Sequence, residues 1–366
     1  MDNKVLKSEE KAIFTLRSLY KKYGYLPFKM SKFEEYDLYL RNKDFLVSER
    51  VITFNDTNGR LMALKPDVTL SIIKNTVDEE GCKQKVYYNE NVYRISGSTH
   101  EFKEIMQTGI ECIGDIGLYD IYEVLYLGAK SLSEISDDFA IDISHMGILK
   151  AILDGASDDE AFKKALTALI SEKNSHEAMA LCDKYGISEK YKNKIHSLIT
   201  VYGNMSDIIK KLDPVCENED SRKSLDELKS LCALLENTEF KDKIKLDFSV
   251  VNDMNYYNGI VFKGFLNGIS EGVLSGGQYD TLMQRMNRKS GAIGFAIYLD
   301  LLEYLQRLTS GYDVDVLLIY SEKTDTLSLV NAVNEYTQRG FSVSAQKKLP
   351  TKLRSKEIIY LDKEGC

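Results

Sequence analysis

The 366-residue sequence has no tryptophan and four histidines. His100, His145, His176 and His196 share no metal-ligand spacing, so no metal site is expected. The six cysteines, at 82, 112, 182, 216, 232 and 366, form no Cys-x-x-Cys pair. With no secretory apolar region and no apolar run long enough to span a bilayer, they read as free thiols in a reducing cytoplasm. Neither Gly-x-Gly-x-x-Gly nor a P-loop pattern occurs, which closes the two common glycine-rich nucleotide readings. Positive charge is in deficit: 48 Lys and Arg against 56 Asp and Glu leave a net charge of −8. That balance disfavours a dedicated nucleic-acid binder, which normally carries a basic surface.

What is present is an ordinary globular balance, 43% hydrophobic and 28% charged, long enough for two or three domains with ample core. Tyrosine is abundant at 23; it suits a polar pocket wall as well as simple packing. Residues 8–23 place Ile13, Leu16, Tyr20 and Tyr23 on one helical face, and Gly24 ends that helix. RVITFNDTNGRLMALKPD reads as a hairpin around Asn58-Gly59, followed by a helix capped by Asp67. KVYYNENVYRI (85–95) and EIMQTGIECIG (104–114) read as an antiparallel strand pair. YDIYEVLYLGAKSLSEI is an amphipathic helix, and FAIDISHMGIL a strand leading into a helix.

The texture then changes. Residues 155–242 are rich in Lys, Glu, Asp, Ala and Leu, and strands are expected to stop for about ninety residues. IKLDFSVV, YYNGIVFKGFLN and EGVLSGGQYD then read as an antiparallel meander. GAIGFAIYLDLLEY (291–304) follows as a strand and helix in which Gly291 and Gly294 lead into the helix, where proteins often hold an anion; yet it carries no Lys or Arg. The tail reads β-α-β-β. The expectation is an α+β fold: an antiparallel sheet with helices on one side, in residues 1–150 and 243–308, a helical insertion over 151–242, and a short α/β segment over 309–366.

Four stretches occur in order: GRLMALKPDVT (59–69); KVYYNENVYR with EIMQTGIECIG; NYYNGIVFKG (255–264); and LSGGQYD with GAIGFAIYLD (274–300). Together they resemble the catalytic domain of histidyl-tRNA synthetase, a class II synthetase, and the tail resembles the start of that family's anticodon-binding domain. The resemblance implies a pocket for histidine. Asp67 stands at the acidic position for the amino group, with Thr69 after it. Gln107 and Glu111 occupy the QxGxE strand, Tyr256 and Tyr257 the double tyrosine around the imidazole, and Tyr279 another wall position. Arg94 stands at the arginine that grips carboxylate and phosphate. Each has a plainer reading: Asp67 as a helix cap, Gln107 and Glu111 as a solvated strand face, the tyrosines as packing.

The departures from that family are as informative. NDMNYY has Asn252 where the synthetases carry an arginine. GFAIYLDLL has Tyr298 in place of a glycine, and Asp300 and Leu301 where the motif ends in an arginine. The segment after Arg94 is acidic where the family has a basic loop. Preorganised charge of this kind is often worth about 3–4 kcal/mol per group in a transition state. These losses, with the GRLMALKPDVT, NYYNGIVFKGF and GGQYD runs, are similar to the family of ATP phosphoribosyltransferase regulatory subunits. That resemblance implies a subunit with no chemistry or cofactor of its own, acting on a short catalytic subunit at the first step of histidine biosynthesis. It also implies histidine as feedback ligand, a dimerising core and a hetero-octameric complex. The alternatives are a divergent histidyl-tRNA synthetase and a free-standing histidine-sensing protein.

Overall fold

The computed structural model describes residues 8–43, 51–95, 100–251, 256–302 and 312–361. The chain divides into two compact units, one ending at Leu302 and one within residues 303–366.

The first unit opens with α1 (Ser8–Lys22), whose Glu9 and Glu10 stand in the first turn and Lys21 and Lys22 in the last, the order that complements the helix dipole. It buries Ala12, Leu16, Leu19 and Tyr20, and Gly24 ends it at φ +81°. Next come β1 (Leu26–Pro27), β2 (Phe33–Glu35), α2 (Tyr36–Arg41), β3 (Thr53–Asn55), β4 (Leu61–Leu64) and α3 (Thr69–Asn75). β2, β4 and β3 form a small antiparallel sheet. Asp56 Oδ1 accepts from the N–H groups of Asn58 and Arg60, each at 2.8 Å, and Gly59 takes φ +78°, so the turn forms where the Asn-Gly pair placed it.

The long hairpin β5 (Lys83–Ile95) and β6 (Phe102–Gly114) leads to α4 (Leu118–Ser133), β7 (Phe139–His145) and α5 (Met146–Ala156). Helices α6 (Glu160–Ser171), α7 (Ser175–Lys184) and α8 (Glu189–Thr200) follow, then β8 (Tyr202–Asn204), α9 (Met205–Leu212) and α10 (Glu219–Leu235). β9 (Ile244–Asp247), β10 (Ile260–Leu266), β11 (Leu274–Gln278), α11 (Asp280–Arg285) and β12 (Gly291–Tyr298) complete the unit, with one 3-10 turn at Leu299–Leu302. These strands build a nine-stranded sheet in the order β1-β5-β6-β12-β11-β10-β7-β9-β8. On one face α1 and α4 pack over Phe262 and Phe295; Tyr20 meets Phe295 edge-on at 6.2 Å and shares a 3.0 Å hydrogen bond with Ser131.

Three expectations change. The strands do not stop across 155–242: Tyr202–Asn204 pairs with β9 and forms the end of the sheet. IKLD is not part of the meander, because β9 runs parallel to β7 on the far side of it, and the antiparallel run is β10-β11-β12. Gly291 and Gly294 do not lead into a helix; both lie inside β12, and the chain turns only after Tyr298. The helix after Pro66 starts at Thr69 with Val68 as the flanking residue, yet Asp67 Oδ1 still accepts the Leu70 N–H at 2.9 Å.

The second unit is a parallel three-stranded sheet of β13 (Val314–Ile319), β14 (Val343–Gln346) and β15 (Ser355–Tyr360), ordered β14-β13-β15. Its helix, Thr326–Gln338, is capped by Asp325, which accepts the Ser328 N–H. Among the described residues no helix is long and apolar enough to cross a membrane, and no group of His, Cys, Asp and Glu is arranged to hold a metal ion.

Candidate functional site

Side chains alternate across a strand, so Gln107, Gly109 and Glu111 share one face of β6. The ladder sets Gln107 opposite Tyr298, Gly109 opposite Ala296 and Glu111 opposite Gly294 on β12; Gly294 in turn faces Gly277 on β11. Three glycines therefore floor this face, and each leaves room that another side chain takes. A β-carbon at Gly109 would stand 2.5 Å from the Tyr88 hydroxyl, and one at Gly277 2.6 Å from the Tyr257 ring. At Gly294 it would collide with the Glu111 carboxyl. Glycine within a strand marks such close approaches.

Over this floor, Thr69 Oγ1 donates to Glu111 Oε1 at 3.1 Å and Tyr279 Oη donates to Glu111 Oε2 at 2.6 Å. The Tyr256 ring packs at a tilt against Tyr257 with centroids 4.4 Å apart and against Tyr279 at 6.0 Å. Asp67, Thr69, Gln107, Glu111 and Tyr279 are buried, and Tyr256 and Tyr257 half-buried against the same apolar cluster. Arg94 Nε donates to the Pro66 carbonyl at 3.0 Å, which holds the guanidinium beside Asp67 and near the Tyr298 hydroxyl. The eight residues picked out in the sequence therefore lie on or over one face of the sheet. Asn252, whose loss of arginine the sequence flagged, is outside the described residues.

Burial decides the electrostatics. It lifts the Glu111 carboxyl from 4.5 to about 8, against the two hydroxyl donors, with the nearby Asp67 adding to the rise. Asp67 is raised for the same reason, opposed by the Leu70 N–H and Arg94. At neutral pH the site thus holds Glu111 with hydroxyl donors and, among the described residues, no cation beside it, and Asp67 next to Arg94, under tyrosine rings, which suits a ligand that brings an ammonium group to Glu111. The far end of β12 is different: Asp300 stands there with Glu271 nearby, and burial and that charge both raise its carboxyl. A polyphosphate there would meet the carboxyls of Asp300 and Glu271 against the ammonium of Lys103.

The sequence reading did not name Tyr88 or Gly109, and it took Gly294 as the entry to a helix rather than as part of the floor. Their signal was available: Gly109 sits at the same strand parity as Gln107 and Glu111. The reading did not single out Glu90 or its pairing with Lys65, which the structure joins in an ion pair.

The histidyl-tRNA synthetase family model matches residues 2–302. The chain belongs to the histidyl-tRNA synthetase family. Within it, one curated relative is the ATP phosphoribosyltransferase regulatory subunit of Oceanobacillus iheyensis, 28% identical over 350 residues, 93% of this chain and 85% of the relative. Among solved structures, an ATP phosphoribosyltransferase regulatory subunit/histidyl-tRNA synthetase from Bacillus halodurans superposes with a TM-score of 0.73 at 22% identity, covering 96% of this chain and 93% of that one. A chain of the ATP phosphoribosyl transferase (HisG:HisZ) complex from Thermotoga maritima gives 0.63 at 22% identity, covering 80% and 97%. At these identities the structural matches establish the class II synthetase-like fold.

Proposed function

We propose that this protein is the regulatory subunit of an ATP phosphoribosyltransferase, without catalytic activity of its own, and that the pocket around Glu111 binds histidine. One observation carries the reading: the site keeps an amine-binding half and opposes a nucleotide half. Asp67, Glu111 and the tyrosines form a polar cluster on one face of the sheet. Arg94 is tied to Pro66, and Asp300 with Glu271 stands where β12 ends. The curated relatives carrying the regulatory-subunit name over most of the chain support the same reading.

In this proposal a short catalytic subunit holds ATP and phosphoribosyl pyrophosphate and forms the glycosidic bond. This chain switches that subunit on, and histidine shifts the complex toward an inactive state by binding one state more tightly. The working assembly is a cytoplasmic hetero-octamer around a dimer of this chain. The synthetase-like core is residues 1–150 with 243–308, 151–242 an insertion that lends β8 to the core sheet, and 309–366 a small anticodon-binding-like segment.

The test is to mix the purified chain with a short catalytic subunit and follow phosphoribosyl-ATP formation. Activation of the catalytic subunit, reversed by histidine, is expected; no change in its rate and no binding would sink the proposal. A second reading, favoured by the family to which the chain belongs, is a divergent histidyl-tRNA synthetase. It requires histidine-dependent ATP–pyrophosphate exchange by the chain alone, and our proposal expects none.

A further inference from the structure

The Lys65 side chain is fully buried, and its Nζ lies 2.9 Å from Glu90 Oε2 on a side chain 15% exposed. Burying both charges has a desolvation penalty that their attraction does little more than offset, and apolar side chains of similar volume often serve stability as well or better. Stability therefore does not account for the pair. Its placement does. The turn that carries the site runs along β5 and is tied to it at successive points. Tyr93 N–H donates to the Lys65 carbonyl at 2.8 Å, and Arg94 Nε to the Pro66 carbonyl at 3.0 Å. The Lys65 ammonium closes the set on Glu90. Lys65 N–H also donates to the Lys32 carbonyl at 3.0 Å. From this turn hang Asp67, whose carboxyl takes the Leu70 N–H, and Thr69, whose hydroxyl reaches Glu111. Glu90 stands directly opposite Gln107 in the β5–β6 register, so the residue that anchors the turn occupies the rung of a site residue.

We propose that Lys65 and Glu90 are a positioning pair, whose ion pair fixes the 66–69 turn and so sets where Asp67 and Thr69 meet a ligand's ammonium group. The inference rests on the reading that the pocket binds histidine. Burial pushes the Lys65 ammonium toward deprotonation, and Glu90 opposes that push, which makes the pair depend on both partners.

The test compares the full chain with the K65M/E90M and Lys65→Arg variants by melting temperature, amide hydrogen exchange across 65–73 and histidine titration calorimetry. For K65M/E90M we expect an unchanged or raised melting temperature, faster exchange at Leu70 and its neighbours, and histidine binding weaker by about tenfold or more. Lys65→Arg keeps the pair and should keep the affinity. Wild-type exchange and affinity in the double variant would overturn the proposal, as would a loss of affinity that merely follows a lower melting temperature. If the double variant does not fold, Glu90→Gln decides: wild-type exchange and affinity there also overturn it. A wild-type chain that binds no histidine, with exchange still faster in the double variant, would remove the ligand assignment and leave the positioning role standing.

Discussion

Gly294 and Glu111 face each other across the β12–β6 ladder, and the Glu111 carboxyl fills the place where a β-carbon on Gly294 would stand. The site is possible because one strand gives up its side chain to the other. A methyl group there would also come within 2.5 Å of the Ile110 carbonyl, which is backbone and cannot swing away. Gly294→Ala is therefore expected to lower stability by about 1–3 kcal/mol and to abolish histidine binding. Chemical denaturation and calorimetry check the two effects.

Tyr279 and Thr69 hold the two oxygens of one carboxyl. Tyr279→Phe removes the shorter hydrogen bond and leaves a buried oxygen with one donor fewer. A loss of about 1–3 kcal/mol in stability is expected, together with weaker histidine binding. Thr69→Val combined with Tyr279→Phe should lose less than the sum of the two, since both act on Glu111.

The pH dependence has a definite sign. Glu111 holds its proton up to about pH 8 when folded and loses it near 4.5 when unfolded. Between those values the folded state binds more protons, so stability falls as pH rises through that window. Asp67, also raised by burial, acts in the same direction. Glu111→Gln should flatten the decline between pH 5 and 8. Urea midpoints measured across that range would test it, and a parallel decline in the variant would contradict it.

An ammonium ligand favours the ionised form of Glu111. Binding histidine near pH 7 should then release about one proton. Calorimetry in buffers of different ionisation enthalpy measures the number directly, and Glu111→Gln should bring it close to zero.

Much of this arrangement was legible in the sequence where chemistry and period coincide. The alternation of β5 and β6 put Gln107 and Glu111 on one face, and the Asn58-Gly59 turn fixed the register that delivers Asp67. What pattern reading could not resolve were features set by partners remote in the chain. Tyr202–Asn204 is too short to announce itself and is a strand because β9 offers an edge. IKLD alternates like its neighbours, and nothing local says that it pairs with β7 in parallel. Lys65 and Glu90 are 25 residues apart, and no local pattern pairs them.

The three residues of β8 give the helical stretch a second role. They cover the outer hydrogen-bonding edge of β9, where the order of strands ends. A chain shortened by excising residues 151–242 would leave that edge bare, a ready template for another molecule's strand. With β8 in place the sheet ends instead on a strand of only three residues, and a short edge strand offers little to pair with.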